Sequence, residues 1–329
     1  ISSHQKELLF AALHRLKEEG KTIIFVSHKL EEVERLCDRI IVMRKGKIEG
    51  RVSPPYVTSE LVKLMFGKLI NSVSPCTNKG KSLILKIRGL YIEDFRLKIE
   101  NINQDVYAGE VIGLAGIEGS GQCLFLRVLA GLKRAMSGEI IVNGEDMSRK
   151  PLSYNQKDNI YFVPAARLEE GLIPGMTFLE HVIRSQKEAR FLINYQNAIE
   201  KSQSVIKEYS IYGEPSSLVE ELSGGNQQRA LLALIKSPAV LLLLEHPTRG
   251  LDVESASWVW RKLKERCQQQ TSIFFISSDL EEVLLYSDRI MIFFNGKVSP
   301  LLEVKDLDVK QLGQLIGGKG WGFFSGKEL

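Results

Sequence analysis

The stretch Leu222–Asp252 reads LSGGNQQRALLALIKSPAVLLLLEHPTRGLD and places two phosphate-handling features close together. It begins with a serine and two glycines that lead into a helix, and the backbone N–H groups at a helix start attract anions. It continues into the apolar run Leu241–Leu244, typical of a strand buried on both faces, which ends at the acidic Glu245. An acidic residue at the end of such a strand is well placed to hold a metal ion beside a phosphate. The stretch therefore predicts an α/β protein with a phosphate site.

A glycine-rich loop lies upstream of this stretch. Glu110–Leu132 reads EVIGLAGIEGSGQCLFLRVLAGL, which predicts a strand, a loop and a helix. The pattern GxxxxGK[ST] binds phosphate through successive backbone N–H groups, a lysine that reaches the β- and γ-phosphates and a hydroxyl that binds magnesium. Here Gln122 holds the lysine position and Cys123 the hydroxyl position. The alternative interpretation is a tight strand–helix turn without a ligand. The candidate nucleotide-binding residues are Gly116, Glu118, Gly119, Ser120, Gly121, Gln122 and Cys123.

An internal repeat relates the two ends of the chain. Ile23–Ile48 reads IIFVSHKLEEVERLCDRIIVMRKGKI, and Ile273–Val298 reads IFFISSDLEEVLLYSDRIMIFFNGKV. The two segments align without a gap, and twelve of the twenty-six positions are identical. Each copy predicts a strand, a helix, a second strand and a hairpin turn, and a further helix is predicted before each copy. We therefore expect the closing parts of two similar α/β domains.

The repeat and the composition between its copies predict four segments. Residues 1–52 are expected to be the C-terminal remnant of a first domain, and residues 53–81 a polar linker with prolines and serines. Residues 82–300 are expected to form a complete second domain, with a helical part between about 165 and 225, and residues 301–329 a short tail. Because the first domain is represented only by its end and the first residue is not Met, we expect an N-terminally truncated sequence.

Composition excludes several classes of protein. The formal charge of +4 is small for 329 residues and does not indicate a nucleic-acid-binding protein. The four cysteines are far apart and form no CxxC pair, which argues against a disulfide framework or a zinc site. The longest clearly apolar run, Ala239–Leu244, is far short of the ~20 residues that a membrane span needs.

Two motifs together are similar to those of the ABC ATPase family: LSGGNQQR at Leu222–Arg229 and PTRGLD at Pro247–Asp252. The resemblance is to the tandem ATPases of sugar-type and nucleoside-type importers, and it covers essentially the whole chain. It implies a P-loop NTPase core with an antiparallel β-subdomain and a helical subdomain, preceded by a remnant of a first such domain. In that family each ATP lies between the phosphate loop of one domain and the signature of the other. The signature residues here are Leu222, Ser223, Gly224, Gly225, Asn226 and Gln227.

This sequence departs from the family pattern at positions that would serve the second domain's own ATP site. Glu245 stands where the family usually has the magnesium-binding Asp, and His246 stands where an active site has a catalytic Glu. Ser278 replaces the switch histidine, and Ala165 replaces the usual glutamine after the central strand. Together with the altered loop these make six changes. Since losing one preorganised charge or donor costs about 10²–10³ in rate, we expect this site to be degenerate and silent.

The retained residues show the opposite pattern. By the resemblance, the signature and Asp252 face the nucleotide of the other domain, and His28 in FVSHKLEEV is the switch histidine of that same site. Every intact feature therefore belongs to one composite site, and every altered feature belongs to the other. The repeat alignment places Ser2 at the position of Asp252, so we expect the rest of the first domain to be needed to complete the composite site.

The resemblance implies an ATP-binding, energy-coupling subunit that lies peripherally on the cytoplasmic face of the inner membrane. Its expected ligands are ATP and Mg²⁺, with Mg²⁺ at the composite site. Its expected partners are the first-domain half of the ATPase, on the same or a separate chain, two transmembrane permease subunits and a substrate-binding protein. We expect ATPase activity only in the assembled transporter. The alternatives are a non-catalytic or decayed ABC fragment, and a soluble ABC protein of translation or DNA repair, which would usually keep both sites intact or carry basic arms.

The transported substrate is not encoded in these residues, because the permease and the binding protein choose it. A sugar, a nucleoside or a related small molecule all fit the resemblance. Sugar-type relatives are expected to carry arginine at the position of Gln122. A glutamine there, beside an altered carboxylate pair, is closer to nucleoside-type importers and their flavin-transporting relatives.

Overall fold

The computed structural model describes residues 3–27, 30–44, 46–57, 60–61, 64, 82–95, 97–150, 159–185 and 194–321. The chain divides into two compact units, one within residues 1–72 and the other within residues 73–329, with Asp252–Glu254 grouped with the first. No helix in the described ranges is long and apolar enough to cross a bilayer. Each unit is described separately below.

The first unit consists of two helices and a hairpin. Helix α1 spans Ser3–Glu18 and α2 spans Leu30–Leu36, and strands β1 (Ile40–Arg44) and β2 (Lys47–Val52) pair antiparallel. The hairpin turns at Gly46, whose φ of +74° suits a residue without a Cβ. A small apolar core forms from Val33, Ile40, Val42 and Leu61.

The second unit carries a mostly parallel sheet in which most neighbouring strands come from distant parts of the chain. Its strands follow the order β12-β11-β5-β10-β9-β8, and β13 pairs with β11. The strands and the helices that connect them are β5 (Val111–Gly116), α3 (Gln122–Leu129), β8 (Ile160–Val163), β9 (Leu241–Glu245), α7 (Val253–Gln268), β10 (Ser272–Ile276), α8 (Leu280–Tyr286), β11 (Arg289–Phe294), β12 (Lys297–Val298) and β13 (Leu302–Glu303). Every residue of β9 and β10 is buried, as the apolar run predicted.

A second, antiparallel sheet lies in the same unit. It consists of β3 (Leu83–Asp94), β4 (Leu97–Tyr107), β6 (Ser137–Val142) and β7 (Glu145–Asp146), in the order β4-β3-β6-β7. One apolar core joins this sheet to α3 and to one face of the parallel sheet, with Phe125 of α3 packed against Phe274 and Phe293. The phosphate loop between β5 and α3 is therefore held from both sides by packed structure.

The helical part covers the other face of the parallel sheet. It includes a π-helical turn (Arg167–Gly171), α4 (Phe178–Ser185), α5 (Tyr195–Glu208), a short 3₁₀ turn (Val219–Glu221) and α6 (Gly224–Leu234). Their apolar side chains share a core with β9, β10 and α7, where Trp260 stacks on Tyr286 with ring centroids 4.2 Å apart. The α/β class and the ABC-type P-loop core that the sequence predicted are confirmed.

The segment after residue 300 contains a short strand and the short helix that was expected in the tail. Strand β13 adds to the parallel sheet through β11, and helix α9 spans Val309–Ile316 behind a capping box between Asp308 and Gln311. The second unit therefore extends beyond the boundary expected at residue 300.

The repeat is present in the helices but not in every strand. Helices α1 and α7, and likewise α2 and α8, have bounds displaced by the same 250 residues. The strand expected at the start of the first copy is not formed: residues 21–27 have no regular structure, and Ile24 and Val26 are each 91% exposed. Its counterpart β10 is buried because it pairs with β5 on one side and β9 on the other. Among the described residues the first unit offers only β1 and β2, which pair with each other.

Candidate nucleotide site

The phosphate loop connects β5 to α3 and depends on its glycines. Gly119 and Gly121 have φ values of +86° and +117°, in the left-handed region that favours glycine. A Cβ on Gly121 would come within 2.3 Å of Cδ1 of Ile99, whereas a Cβ on Gly119 would meet nothing within 4 Å. The backbone N–H of Ser120 donates to the carbonyl of Ile117 at 3.0 Å. The loop therefore keeps the open, strained shape of a phosphate cradle although its sequence is altered.

Gln122 closes the loop without bringing a charge to it. Its Nε2 donates to the carbonyls of Gly116 and Ile117, both at 3.0 Å, and the residue is only 4% exposed. Its buried Oε1 has no hydrogen-bond partner among the described residues. An uncharged amide turned back on the loop cannot supply the ammonium that would neutralise phosphate.

Cys123 stands at the first turn of α3, at the hydroxyl position. Burial, and then the nearby charge of Glu245, raise the pKa of its thiol to about 11. The side chain is therefore a neutral thiol at pH 7. Magnesium prefers oxygen ligands, so this side chain is a poor replacement for serine or threonine.

Glu245 ends β9 and is held by an ion pair inside the protein. Its two carboxylate oxygens accept hydrogen bonds from Nε of Arg127 at 2.8 Å and from Nη2 at 3.1 Å. The backbone N–H of Ala165 adds a third donor at 3.4 Å. Only 5% of the Glu245 side chain is exposed. Breaking a buried ion pair by removing one partner costs on the order of 3 kcal/mol. The Glu245 carboxylate is therefore held firmly in its pair with Arg127.

Arg127 also binds a second carboxylate. Its Nη2 donates to Glu170 in the π-helical turn, at 2.9 and 3.1 Å, and its guanidinium lies 5.6 Å from the ring centroid of Phe162. The hydrogen bond with Glu245 is the main reason why the pKa of Arg127 is raised. Sequence reasoning missed both Arg127 and Glu170. The signal available was a lone arginine one turn beyond the phosphate loop.

His246 occupies the catalytic-base position in an unfavourable state for a base. Its φ is +47°, and its backbone N–H donates to the carbonyl of Ile276 at 2.9 Å. Burial, followed by the positive charge of Arg249, lowers the pKa of the imidazole. The side chain is thus neutral at pH 7 and a weaker base than a free histidine.

The signature lies at the start of α6. Ser223 is the N-cap, and its Oγ accepts from the backbone N–H of Asn226 at 3.4 Å and from its Nδ2 at 3.0 Å. Asn226 in turn accepts from the backbone N–H of Tyr212, which fixes the capping residue. Leu222 and Gln227 are buried beneath the turn, and Nε2 of Gln227 donates to the carbonyl of Val219. The cap presents the two signature glycines at a rigid helix start.

Arg167 connects the signature helix to the core, a role that the sequence analysis missed. Its Nε donates to Oε1 of Gln228 in α6 at 2.8 Å, and its Nη2 donates to the backbone carbonyl of Arg249 after β9. A Cβ on Gly224 would lie 3.2 Å from Nη1 of Arg167. The π-helical turn that carries Arg167 therefore contacts the first signature glycine directly.

The remaining predicted residues have no described hydrogen bond to the loop. Ser278 is exposed between β10 and α8, and Asp252 directly precedes α7. No hydrogen bond within the described ranges joins Ser223 or Ser278 to the phosphate loop. His28 lies outside the described residues. The structure therefore brings Glu245 close to the loop residue Cys123 and to Ala165.

Comparison with known families agrees with this geometry. Residues 99–249, from β4 to the loop after β9, match the family model for the ABC transporter. Those residues lie in an ABC transporter ATP-binding domain. ABC ATPases of this kind bind ATP with Mg²⁺.

Curated relatives of this ABC domain extend across the chain. The nucleoside import ATP-binding protein NupA of Lactococcus lactis subsp. cremoris is 31% identical, over 94% of this chain and 63% of its own length. The ribose import ATP-binding protein RbsA 1 of Rubrobacter xylanophilus is 30% identical, over 93% of this chain and 62% of its own length. The chain thus spans less than two thirds of these relatives.

Solved structures with the same fold are ABC cassettes. A nucleotide-free cassette from an ABC transporter aligns with a TM-score of 0.60 and 19% identity, covering 72% of this chain and 100% of that chain. A dimeric cassette in a post-hydrolysis state, bound to ADP and Pi, aligns with a TM-score of 0.57 and 20% identity, covering 67% of this chain and 99% of that chain.

The residues at this ABC domain's own loop do not fit the magnesium ion that the family uses. The hydroxyl position is a neutral thiol, and the carboxylate position is already bound to a guanidinium. The described residues also contain no cluster of three or more His, Cys, Asp or Glu side chains that could hold a metal ion.

Proposed function

We propose that this chain is the ATP-binding, energy-coupling part of an importer for a sugar, a nucleoside or a related small molecule. The substrate class follows from the relatives, which include nucleoside and ribose import proteins. Within the importer, the second domain's own loop is degenerate and contributes no hydrolysis. Its signature serves a composite ATP site together with the remaining parts of a first ABC domain, on the same or a separate polypeptide.

One observation carries this proposal: the carboxylate expected to hold magnesium in the domain's own site is tied up in an ion pair, whereas the signature is intact. Glu245, which should hold magnesium for the domain's own site, is neutralised inside the protein by Arg127. Ser223 and the glycines after it form a capped helix start with the geometry of an anion site. A domain with a blocked loop and an intact signature suits the role of helping a neighbouring active site.

The proposal assigns roles to residues and segments. Residues 1–52 belong to the first ABC domain, residues 53–81 link it to the second domain at 82–300, and residues 301–329 follow. His28 acts as the switch histidine of the composite site, and Asp252 serves the same nucleotide. Mg²⁺ and ATP bind at that composite site. Two permease subunits and a substrate-binding protein complete the importer, which places the chain at the cytoplasmic face of the membrane.

The test is a reconstituted complex that contains the remaining first-domain half and the permeases. Ser223→Ala should reduce ATPase activity by about 10²-fold, because a donor to the γ-phosphate is lost. His28→Ala should cause a loss of similar size. Ser278→Ala is the matched control in the degenerate site and should leave activity within about twofold of the parent.

Three results would contradict the proposal. Equal losses from Ser223→Ala and Ser278→Ala would show that the sites are not divided as proposed. An assembled, folded complex without any ATPase activity would favour a decayed ABC fragment. Stable recovery with ribosomes or DNA instead of membranes would favour a soluble ABC protein.

A further inference from the structure

The elements around the degenerate loop are joined by arginine side chains instead of a ligand. Arg127 belongs to α3, directly after the phosphate loop, and it binds Glu245 at the end of β9. It also binds Glu170 in the π-helical turn at the start of the helical part. One guanidinium therefore links three elements that meet around the loop.

The π-helical turn is also connected to the signature helix, α6. Arg167, three residues before Glu170, donates to Gln228 of α6 at 2.8 Å. At the other end of the turn, a Cβ on Gly171 would come within 2.8 Å of Cδ2 of Leu231, also in α6. Both ends of the five-residue turn thus contact the signature helix, and its middle is bound by Arg127.

Charge in this region opposes a bound nucleotide. Arg127 faces two carboxylates, Glu245 and Glu170, and a third, Glu118, lies on the loop and acts on the same thiol of Cys123. The lysine that would offset these charges is replaced by Gln122. Triphosphate is strongly anionic, so a loop without its lysine, beside an arginine that is already bound to two carboxylates, disfavours it.

We propose that Arg127 is a built-in replacement for the ligand of this loop: through Glu245, Glu170 and the π-helical turn it holds the signature helix in a fixed position without nucleotide or magnesium. Arg127 is a positioning residue, since it acts on α6 through other groups. The inference rests on the proposed function, in which the signature serves a neighbouring ATP. A signature that must bind another domain's nucleotide benefits if its position does not depend on a ligand in the phosphate loop of its own domain.

Hydrogen exchange of the full chain tests the proposal without any partner. We follow two segments, residues 164–172 and residues 222–231, with and without saturating ATP and Mg²⁺. In the parent chain, exchange in both segments should agree within about twofold between the two conditions. In Arg127→Met, which keeps side-chain length but removes the charge, exchange in both segments should rise at least about tenfold.

Three comparisons separate positioning from general stabilisation. Lys133→Met removes the surface pair with Asp94, close in sequence, and should leave both segments unchanged. Arg127→Lys keeps the charge with fewer donors and should give an intermediate rate. Glu170→Gln removes the more exposed carboxylate and should produce a smaller rise in the same segments; it replaces Arg127→Met if that variant does not fold.

Several results would overturn the inference. One is a slowing of about tenfold in the parent chain when ATP and Mg²⁺ are added, since the loop would then control the helix after all. Another is unchanged exchange in Arg127→Met, and a third is an equal rise in β9 and β10, which would mean general destabilisation. All of these are measured on the chain alone, so they are independent of whether the reconstituted importer hydrolyses ATP.

Discussion

Arg127 donates two hydrogen bonds to Glu245 across 118 residues of sequence, from Nε at 2.8 Å and from Nη2 at 3.1 Å. The pair joins the helix after the phosphate loop to the end of the strand that would carry the magnesium ligand. Because the carboxylate is 5% exposed and the guanidinium 31%, the pair is largely shielded from solvent.

The stability of the chain should depend on this pair. Arg127→Met should lower the free energy of unfolding by about 3 kcal/mol, because it leaves the Glu245 carboxylate buried and unpaired. Lys133→Met, which breaks an exposed pair with Asp94, should cost less than about 1 kcal/mol. Urea denaturation followed by tryptophan fluorescence measures both. Equal costs would mean that Glu245 finds other partners.

The purified chain should hydrolyse ATP at a rate close to background. The reason is the combined loss of the loop lysine at Gln122, the hydroxyl at Cys123 and a free magnesium carboxylate, each expected to cost about 10²-fold or more. Phosphate release by the isolated chain measures this directly. Turnover that disappears in Gln122→Ala would show that the loop is catalytically competent.

Cys123 should be unreactive toward alkylating reagents at pH 8. Its pKa of about 11 leaves only about one thiol in a thousand as thiolate at that pH. Alkylation should increase steadily between pH 8 and pH 10, since the thiolate fraction rises about tenfold per pH unit. Peptide-resolved mass spectrometry after brief iodoacetamide treatment gives the rate, with the fully unfolded chain as the reference. Folded and unfolded rates that agree at pH 8 would contradict the raised pKa.

The glycines of the loop should differ in their tolerance of a methyl group. Gly121→Ala should destabilise the chain by about 2 kcal/mol or more, because its Cβ meets Ile99 and its φ is +117°. Gly119→Ala has the same kind of backbone strain but open space around the Cβ, so about 1 kcal/mol is expected. Thermal unfolding of the two variants gives the comparison. A larger loss for Gly119→Ala would mean that the packing around Gly121 relaxes easily.

The parts of the site that are local in sequence were predictable. The glycine loop between a strand and a helix, the buried run before Glu245 and the capped start of α6 each follow from adjacent residues, and each is found where it was expected. The Arg127 network was not predictable, because its partners Glu170 and Glu245 are far away along the chain and come together only through the fold.

The strand expected at the start of the first repeat was predicted from local sequence but is not formed. Its sequence is as apolar as that of β10, and a local interpretation gives strand for both. A strand requires neighbours to satisfy its backbone hydrogen bonds. Strand β10 has β5 and β9, whereas β1 and β2, the strands in the described part of the first unit, pair only with each other. The prediction of a strand from local preference was therefore wrong for the first copy, because pairing decided the outcome.

The exposure of Ile24 and Val26 has a practical consequence for anyone who handles this chain in isolation. Residues 21–26 form a segment of high β-propensity that pairs with no strand among the described residues, and segments of this kind promote cross-β aggregation. Light scattering of concentrated solutions should therefore rise with time, and a charge placed in the segment by Ile24→Lys should suppress the rise. The segment that lacks a neighbouring strand is thus the point at which the chain would recruit copies of itself.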